Sequence, residues 1–294
     1  MSKIYLTAQL SKNDYSKEVH KQLIKQFNEY NIQYEEISGG NIWCKDYMPV
    51  KGSDDVYVKF RYFPDYNRGT KSGNIQIVEA DKAYDDWKQN NGELNIIKSE
   101  LILDGGAIEI NGKTAIVSTR VFADNKEWSI KKIKEELIKT LNLDKIIFIP
   151  EHPYDFTGHV DGMVRFIDEN TFLINNLEAE YRLADEEKKK PRGKLILQWI
   201  AAFESVIYNS GLNIKISTYK AEMNTGSDAN GVYMNYLKFD KYIFMPVFGG
   251  DLKDSDKEAE KRFKKVFNNY RIITIKADKL AKKGGIINCV TWEK

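Results

Sequence analysis

The sequence predicts an α/β protein assembled from repeated small modules. Three observations carry that prediction. Short strand patterns alternate with amphipathic helix patterns, the succession of strand pair, helix and strand keeps returning, and no Pro/Ser-rich linker divides the 294 residues. One domain over 1–294 is therefore expected, with a 42% hydrophobic fraction to fill its core.

Residues 3–10 alternate as a strand. Over 15–30, Val19, Leu23, Ile24 and Phe27 fall at helical spacing, and 32–37 reads as a second strand. An extended stretch at 56–63 precedes a helix around 80–89. Residues 101–118 read as strand, turn, strand, with Asn111-Gly112 as a hairpin turn that favours positive φ. A helix at 129–141 leads into an apolar strand at 145–150. Strands at 159–167 and 171–175 flank Asp168-Glu169-Asn170, and an apolar helix at 194–210 leads to a strand at 213–219. The cadence closes with strands at 232–239 and 242–247, a helix at 256–268 and a strand at 271–276.

Charge excludes one broad class. With 45 basic and 43 acidic residues the net charge is +2, unlike a dedicated nucleic-acid binder with a concentrated basic face. The densest basic run, Lys188-Lys189-Lys190, follows Asp185-Glu186-Glu187 and reads as a solvated loop. No apolar stretch reaches bilayer-spanning length, and Met1-Ser2-Lys3 leads straight into a strand without an apolar leader. Cys44 and Cys289 are the only cysteines, so a disulfide framework is not expected and a cytoplasmic location is.

Two segments carry chemistry. Gly284-Gly285-Ile286-Ile287-Asn288-Cys289 delivers a thiol at the end of a glycine-led apolar run, and Gly158-His159-Val160-Asp161 supplies an imidazole and a carboxylate. These are the parts of nucleophilic cysteine catalysis. A buried cysteine that merely packs is the structural alternative. On a strand, His159 and Asp161 would share a face, continued by Met163 and Arg165. Arg165 would then meet either a substrate carboxylate or a structural acid. His20 and His152 have no motif around them and read as surface or loop residues.

Trp43-Cys44-Lys45-Asp46-Tyr47-Met48-Pro49 is similar to a W-x-R-D-x-G-P segment. Leu103-Asp104-Gly105-Gly106, followed by Asn111-Gly112-Lys113, is similar to L-E-G-G-N…N-G-K. Gly158-His159-Val160-Asp161 matches G-H-V-D and continues through Arg165-Phe166. Asn235, Pro246 and Phe248-Gly249 follow Y-x-N…P-x-F-G, and Gly284 to Thr291 follows G-G-x-I-H-C-I-T. In this order and spacing, nearly the whole chain resembles the guanidine-modifying enzymes. The branch is the one that joins agmatine deiminases with Porphyromonas-type peptidylarginine deiminases.

The resemblance implies a pseudo-fivefold α/β propeller of ββαβ modules around a central active-site channel. It also implies a hydrolase of linear amidines that needs no metal or organic cofactor. By the same resemblance Cys289 is the nucleophile, His159 the acid–base group, and Asp46 and Asp161 the carboxylates that hold a planar guanidinium. Trp43, Asp104, Asn235, Arg68 and Arg165 become candidate substrate-binding residues, and Cys44 packs nearby without chemistry. The expected partner is a small guanidino substrate or a peptide arginine, with a homo-oligomer as the family's habitual assembly. Lys45, Met48, Asp104 and Asn288 depart from the family's Arg, Gly, Glu and His.

One segment speaks to the substrate. Tyr66-Asn67-Arg68-Gly69-Thr70-Lys71 lies where agmatine deiminases carry an F-N-A-W-G-like stretch and the Porphyromonas-type enzymes Y-N-R-P-R. Arg68 therefore favours a free or C-terminal arginine, whose carboxylate it would meet. Agmatine, the decarboxylated relative, stays as the alternative. An amidinotransferase or a non-catalytic guanidine-binding relative stands behind both.

Overall fold

The computed structural model describes residues 2–91, 94–217 and 228–294. Strand β1 (Ile4–Thr7), helix α1 (Lys17–Glu29) and strand β2 (Tyr34–Ile37) open the chain, and a helical turn α2 (Cys44–Tyr47) follows. The second module is β3 (Val50–Lys51), β4 (Tyr57–Arg61), α3 (Lys71–Asn90) and β5 (Ile96–Ile102). The third is β6 (Ile108–Asn111), β7 (Thr114–Ser118), the short α4 (Arg120–Asp124), α5 (Ile130–Leu141) and β8 (Lys145–Ile149). The fourth contains β9 (Val164–Asp168), β10 (Thr171–Ile174), α6 (Glu178–Glu186), α7 (Pro191–Tyr208) and β11 (Asn213–Ile216). The fifth contains β12 (Leu237–Phe239), β13 (Tyr242–Val247), α8 (Lys253–Val266) and β14 (Arg271–Lys276). A short α9 (Asp278–Ala281) then leads to β15 (Trp292–Glu293).

These strands form five three-stranded sheets, each with one antiparallel hairpin pair and one parallel pair. The helix between the parallel strands supplies the crossover that a parallel pairing requires. The sheets are the blades of a pseudo-fivefold α/β propeller. In the first blade the hairpin strand comes from the far end of the chain: β15 pairs antiparallel with β1, setting Glu293 opposite Ile4 and Trp292 opposite Tyr5.

Burial follows position in the blade. The middle strands β1, β4, β7, β10 and β13 are almost wholly buried, and β13 accordingly reads as an apolar run. The outer parallel strands β5 and β14 alternate, with one face buried and one wet. Helix α5 shows the matching logic: Ile133, Leu137 and Leu141 form its buried stripe. Ser129 Oγ caps it by accepting from the Lys132 N–H, and Asn142 ends it in the left-handed region at φ 54°.

Several expected boundaries move. The strand expected at 159–167 begins only at Val164, because Val160 N and Asp161 N both donate sideways to Gly106 O, at 2.9 and 3.3 Å. His159 and Asp161 therefore sit in a turn and share no strand face. The strand expected at 232–239 shrinks to its last three residues, and the helix expected at 80–89 is the second half of α3. Of the strand expected at 213–219, β11 covers 213–216, while Thr218 and Tyr219 lie outside the described residues. Helix α6 runs through charged sequence that gave no apolar run to read.

Candidate active site

The five connections that carry the chain from one blade to the next each bring polar residues to the centre. Asp46 comes from the β2–β3 connection, Asp104 from β5–β6, His159 and Asp161 from β8–β9, Asn235 from β11–β12, and Asn288 with Cys289 from β14–β15. All seven are buried.

Around the thiol, Asn235 Nδ2 donates to Cys289 Sγ at 3.1 Å. The Asn235 Oδ1 accepts the N–H groups of Asn288 and Cys289 at 3.1 and 3.4 Å, so one amide fixes both backbone and sulfur. Asp161 Oδ2 lies 3.8 Å from Sγ and accepts from Asn288 Nδ2 at 2.7 Å. The carbonyl of Cys289 accepts the Lys45 N–H at 3.2 Å, which locks the thiol connection onto α2.

His159 is held between acids. Nε2 lies 3.3 Å from Asp104 Oδ2, and Nδ1 lies 3.8 Å from Asp46 Oδ1. Asp46 Oδ1 also accepts the Gly106 N–H at 3.1 Å. Gly106 is required by this closeness: a Cβ there would overlap His159 Nδ1 and sit 2.9 Å from Asp46 Oδ1. Gly285 is constrained in the same way, since a Cβ would run into the Trp43 indole and reach 3.1 Å from the Cys289 Cβ.

Electrostatics follow from burying several acids together. Burial pushes Asp46 up to about 7, opposed by His159 and reinforced by Asp104 and Asp161. Burial alone would lower His159, but Asp46, Asp104 and Asp161 outweigh it and hold the imidazole at about 10. Burial, with Asp161 and Asp46 behind it, raises the Cys289 thiol well above its ordinary value. Burial and charge thus favour a protonated imidazole and a protonated thiol among three buried acids.

A cavity of ≈ 130 Å³ opens from Cys289, His159, Asp161 and Asn235. Its wall also includes Tyr154, Trp199, Asp155 and Asp228, together with a second histidine–carboxylate pair, His152 Nε2 to Glu180 Oε1 at 2.7 Å. His152 lies on the β8–β9 loop, as its sequence context suggested, and that loop forms part of the cavity wall. Its Nδ1 accepts the Tyr154 N–H at 3.2 Å, which assigns the ring proton to Nε2, facing Glu180. A larger cavity, ≈ 1040 Å³, lies elsewhere and is lined in part by Lys45, Glu109, Arg165 and Glu293, without the thiol or His159.

Of the remaining candidates, Asp104 contacts His159 and Trp43 stands against Gly285; neither lines the smaller cavity, and nor does Asp46, which meets His159 behind it. Arg165 pairs with Glu109 at 2.8 Å and donates to the carbonyls of Met234 and Tyr236, a structural acid and two backbone acceptors in place of a substrate. Arg68 donates to Phe63 O at 2.8 Å and pairs with Asp124 at 2.7 Å, outside the cavity. Buried Cys44 packs with its Sγ 3.8 Å from Tyr5 O. Tyr66, quoted above only as part of a motif, turns out to donate to Asp104; no sequence signal marks that contact.

A family model described as Porphyromonas-type peptidyl-arginine deiminase matches residues 2–294. A "Putative agmatine deiminase" of Marinomonas sp. is 24% identical over 242 residues, covering 73% of this chain and 65% of that protein. One of Streptococcus mutans is 20% identical over 308 residues, covering 92% of this chain and 78% of that one. Among solved structures, C. jejuni agmatine deiminase has a TM-score of 0.77 at 18% identity, over 99% of this chain and 92% of that chain. At that identity the structural likeness speaks for the fold.

Proposed function

Since the chain belongs to the Porphyromonas-type peptidyl-arginine deiminase family, we propose that it hydrolyses a guanidinium to a ureido group and ammonia. One observation carries this reading. Cys289, His159, Asp161 and Asp46, from three separate connections, meet in one buried cluster beside a cavity.

Asp46 and Asp161 hold the planar cation, and its charge offsets the acids that keep Cys289 protonated. The bound substrate thereby promotes the thiolate that attacks it. Sulfur adds to the guanidinium carbon, His159 gives a proton to the departing amine, and the C–N bond breaks. Thiol plus guanidinium yields a covalent thiouronium plus ammonia, with the thiol proton making good the one His159 gave. Water, deprotonated by His159, then attacks the same carbon and breaks the C–S bond. This restores the thiol and releases the ureido product and one proton.

The far end of the substrate is the finer question. Arg68, the residue that favoured an arginine carboxylate, is committed to Asp124 and Phe63. The cavity wall instead offers Asp155, Asp228 and the Glu180–His152 pair; the Tyr154 ring beside them already carries Arg192, and Trp199 stacks on Phe203. Acidic side chains suit an ammonium, which supports the agmatine reading over free or C-terminal arginine.

The test is to incubate the protein with agmatine, arginine, a peptide ending in arginine and one with an internal arginine. Ureido product and ammonia are assayed against Cys289→Ala. Turnover of agmatine above the others is expected. Turnover of the carboxylate substrates alone would overturn the far-end reading, and no turnover at all would overturn deimination.

A further inference from the structure

None of the steps above uses Tyr66, yet it reaches the centre of the site. Its hydroxyl donates to Asp104 Oδ2 at 2.7 Å, the same oxygen that His159 Nε2 meets at 3.3 Å. The other oxygen, Asp104 Oδ1, is buried without a hydrogen-bond partner. Two donors therefore share one acceptor. The Tyr66 ring also stands edge-on to His159 at 6.5 Å and to Phe156 at 5.4 Å, and it does not line the cavity beside Cys289.

The loop that carries Tyr66 is fastened at several points. Arg68 grips Phe63 O and Asp124, Asn67 Nδ2 donates to Tyr62 Oη at 3.4 Å, and Arg120 pairs with Asp65, Asp124 and Glu151. A hydroxyl held this firmly is a fixed donor. Burial and the neighbouring Asp104 raise its pKa well above the ordinary phenol value, so it keeps its proton.

We propose that Tyr66 is a positioning residue for the acid–base histidine. By donating to Asp104 it draws off part of the carboxylate's charge and so limits how tightly His159 keeps its proton. This rests on the deiminase reading, in which His159 must give up a proton in the first half-reaction and collect one in the second. A hydrogen bond to an ionised carboxylate is among the stronger ones and spreads its charge. Without it, Asp104 would hold the imidazolium harder and slow the steps that need neutral imidazole. Four ionisable groups face His159: Asp46 on α2, Asp104 on the β5–β6 connection, Asp161 on its own connection, and Tyr66 between β4 and α3. Of these, Tyr66 alone donates to the oxygen that His159 uses.

Tyr66→Phe removes one oxygen and keeps the ring. In the substrate-free protein, NMR titration of His159 is expected to move upward by about one pH unit. With substrate, turnover should fall, KM should stay within about twofold because Tyr66 does not line the cavity, and the covalent intermediate should accumulate. Adding Tyr66→Phe to Asp104→Asn should shift His159 no further. Incorporating 3-fluorotyrosine at position 66, a stronger donor of nearly the same shape, should move the titration downward, and this arm serves if Tyr66→Phe folds poorly. An unmoved His159 titration, or the same shift in the Asp104→Asn background, overturns the proposal. A protein that shows these shifts but deiminates no guanidine would overturn the deiminase reading and leave the coupling of Tyr66 to His159 standing.

Discussion

Asn288 Nδ2 donates to Asp161 Oδ2 at 2.7 Å, and the sulfur of the next residue, Cys289, stands 3.8 Å from that same oxygen. In the proposed mechanism one side chain thus aims the carboxylate that holds the substrate while its neighbour supplies the nucleophile. Asn288→Ala frees Asp161 to turn. A hydrogen bond to a charged group contributes ~1.5–3 kcal/mol, so KM is expected to rise on the order of 10- to 100-fold, with a smaller loss in kcat. Steady-state kinetics check this. A lower kcat with unchanged KM would place Asn288 on the thiol and not on the carboxylate.

Thiol reactivity should depend on the charge of the reagent. With Cys289 held protonated by burial and by Asp161 and Asp46, neutral iodoacetamide should label it slowly at neutral pH. A cationic haloacetamidine should label it at least tenfold faster, and Asp46→Ala should abolish the difference. Equal slow labelling of Cys44 and Cys289 by both reagents would show that no cation activates the sulfur.

The pH dependence has a defined sign. The carboxyl of Asp46, raised to about 7, must ionise to accept a guanidinium, so kcat/KM should climb as pH passes that value. The imidazolium of His159 must be present to protonate the leaving amine, so activity should fall as pH passes about 10. The raised folded-state pKa of His159 also stabilises the protein fully below its unfolded value of roughly 6.5, and that contribution is lost on the way up to about 10. Thermal unfolding should therefore occur at lower temperature across that window, and the slope should flatten in His159→Gln.

Gly106→Ala tests how closely the acids and the imidazole are packed. The new methyl overlaps His159 Nδ1 and crowds Asp46 Oδ1. Turnover should drop by about two orders of magnitude, since small misplacements in a site are costly, while circular dichroism stays that of the parent. Normal activity in this variant would mean that His159 does not work from the position it occupies here.

Glu180→Gln leaves the wall's shape and removes its charge. If this wall binds an ammonium, KM for agmatine should rise several-fold while that for arginine holds or falls. Parallel kinetics on the two substrates decide it.

Much of this was legible in the chain, for physical reasons. The middle strands are buried on both faces, so β13 appears as an apolar run with the observed bounds. Helix α5 declares itself through Ser129, its apolar stripe and Asn142. What hid was structure set by distant partners. The turn over His159 and Asp161 exists because their connection bonds to Gly106 O, more than fifty residues away in sequence, and alternation cannot register that. Arg165 was readable as either a ligand contact or a structural ion pair, and only Glu109 and two carbonyls decide between them. His152 lay in no motif, and Tyr66 lay in one that pointed only to Arg68; their contacts come from Glu180 and Asp104, distant in sequence.

Each blade-to-blade connection contributes to the centre, and the first blade is finished only when β15 lies down beside β1. A fragment that lacks any one connection therefore lacks part of the site. Catalysis becomes an all-or-none reporter of ring integrity. A protease nick that lets β15 peel away from β1 should silence the enzyme while four blades keep their spectroscopic signature, so loss of turnover would be the earliest sign that the circle has opened.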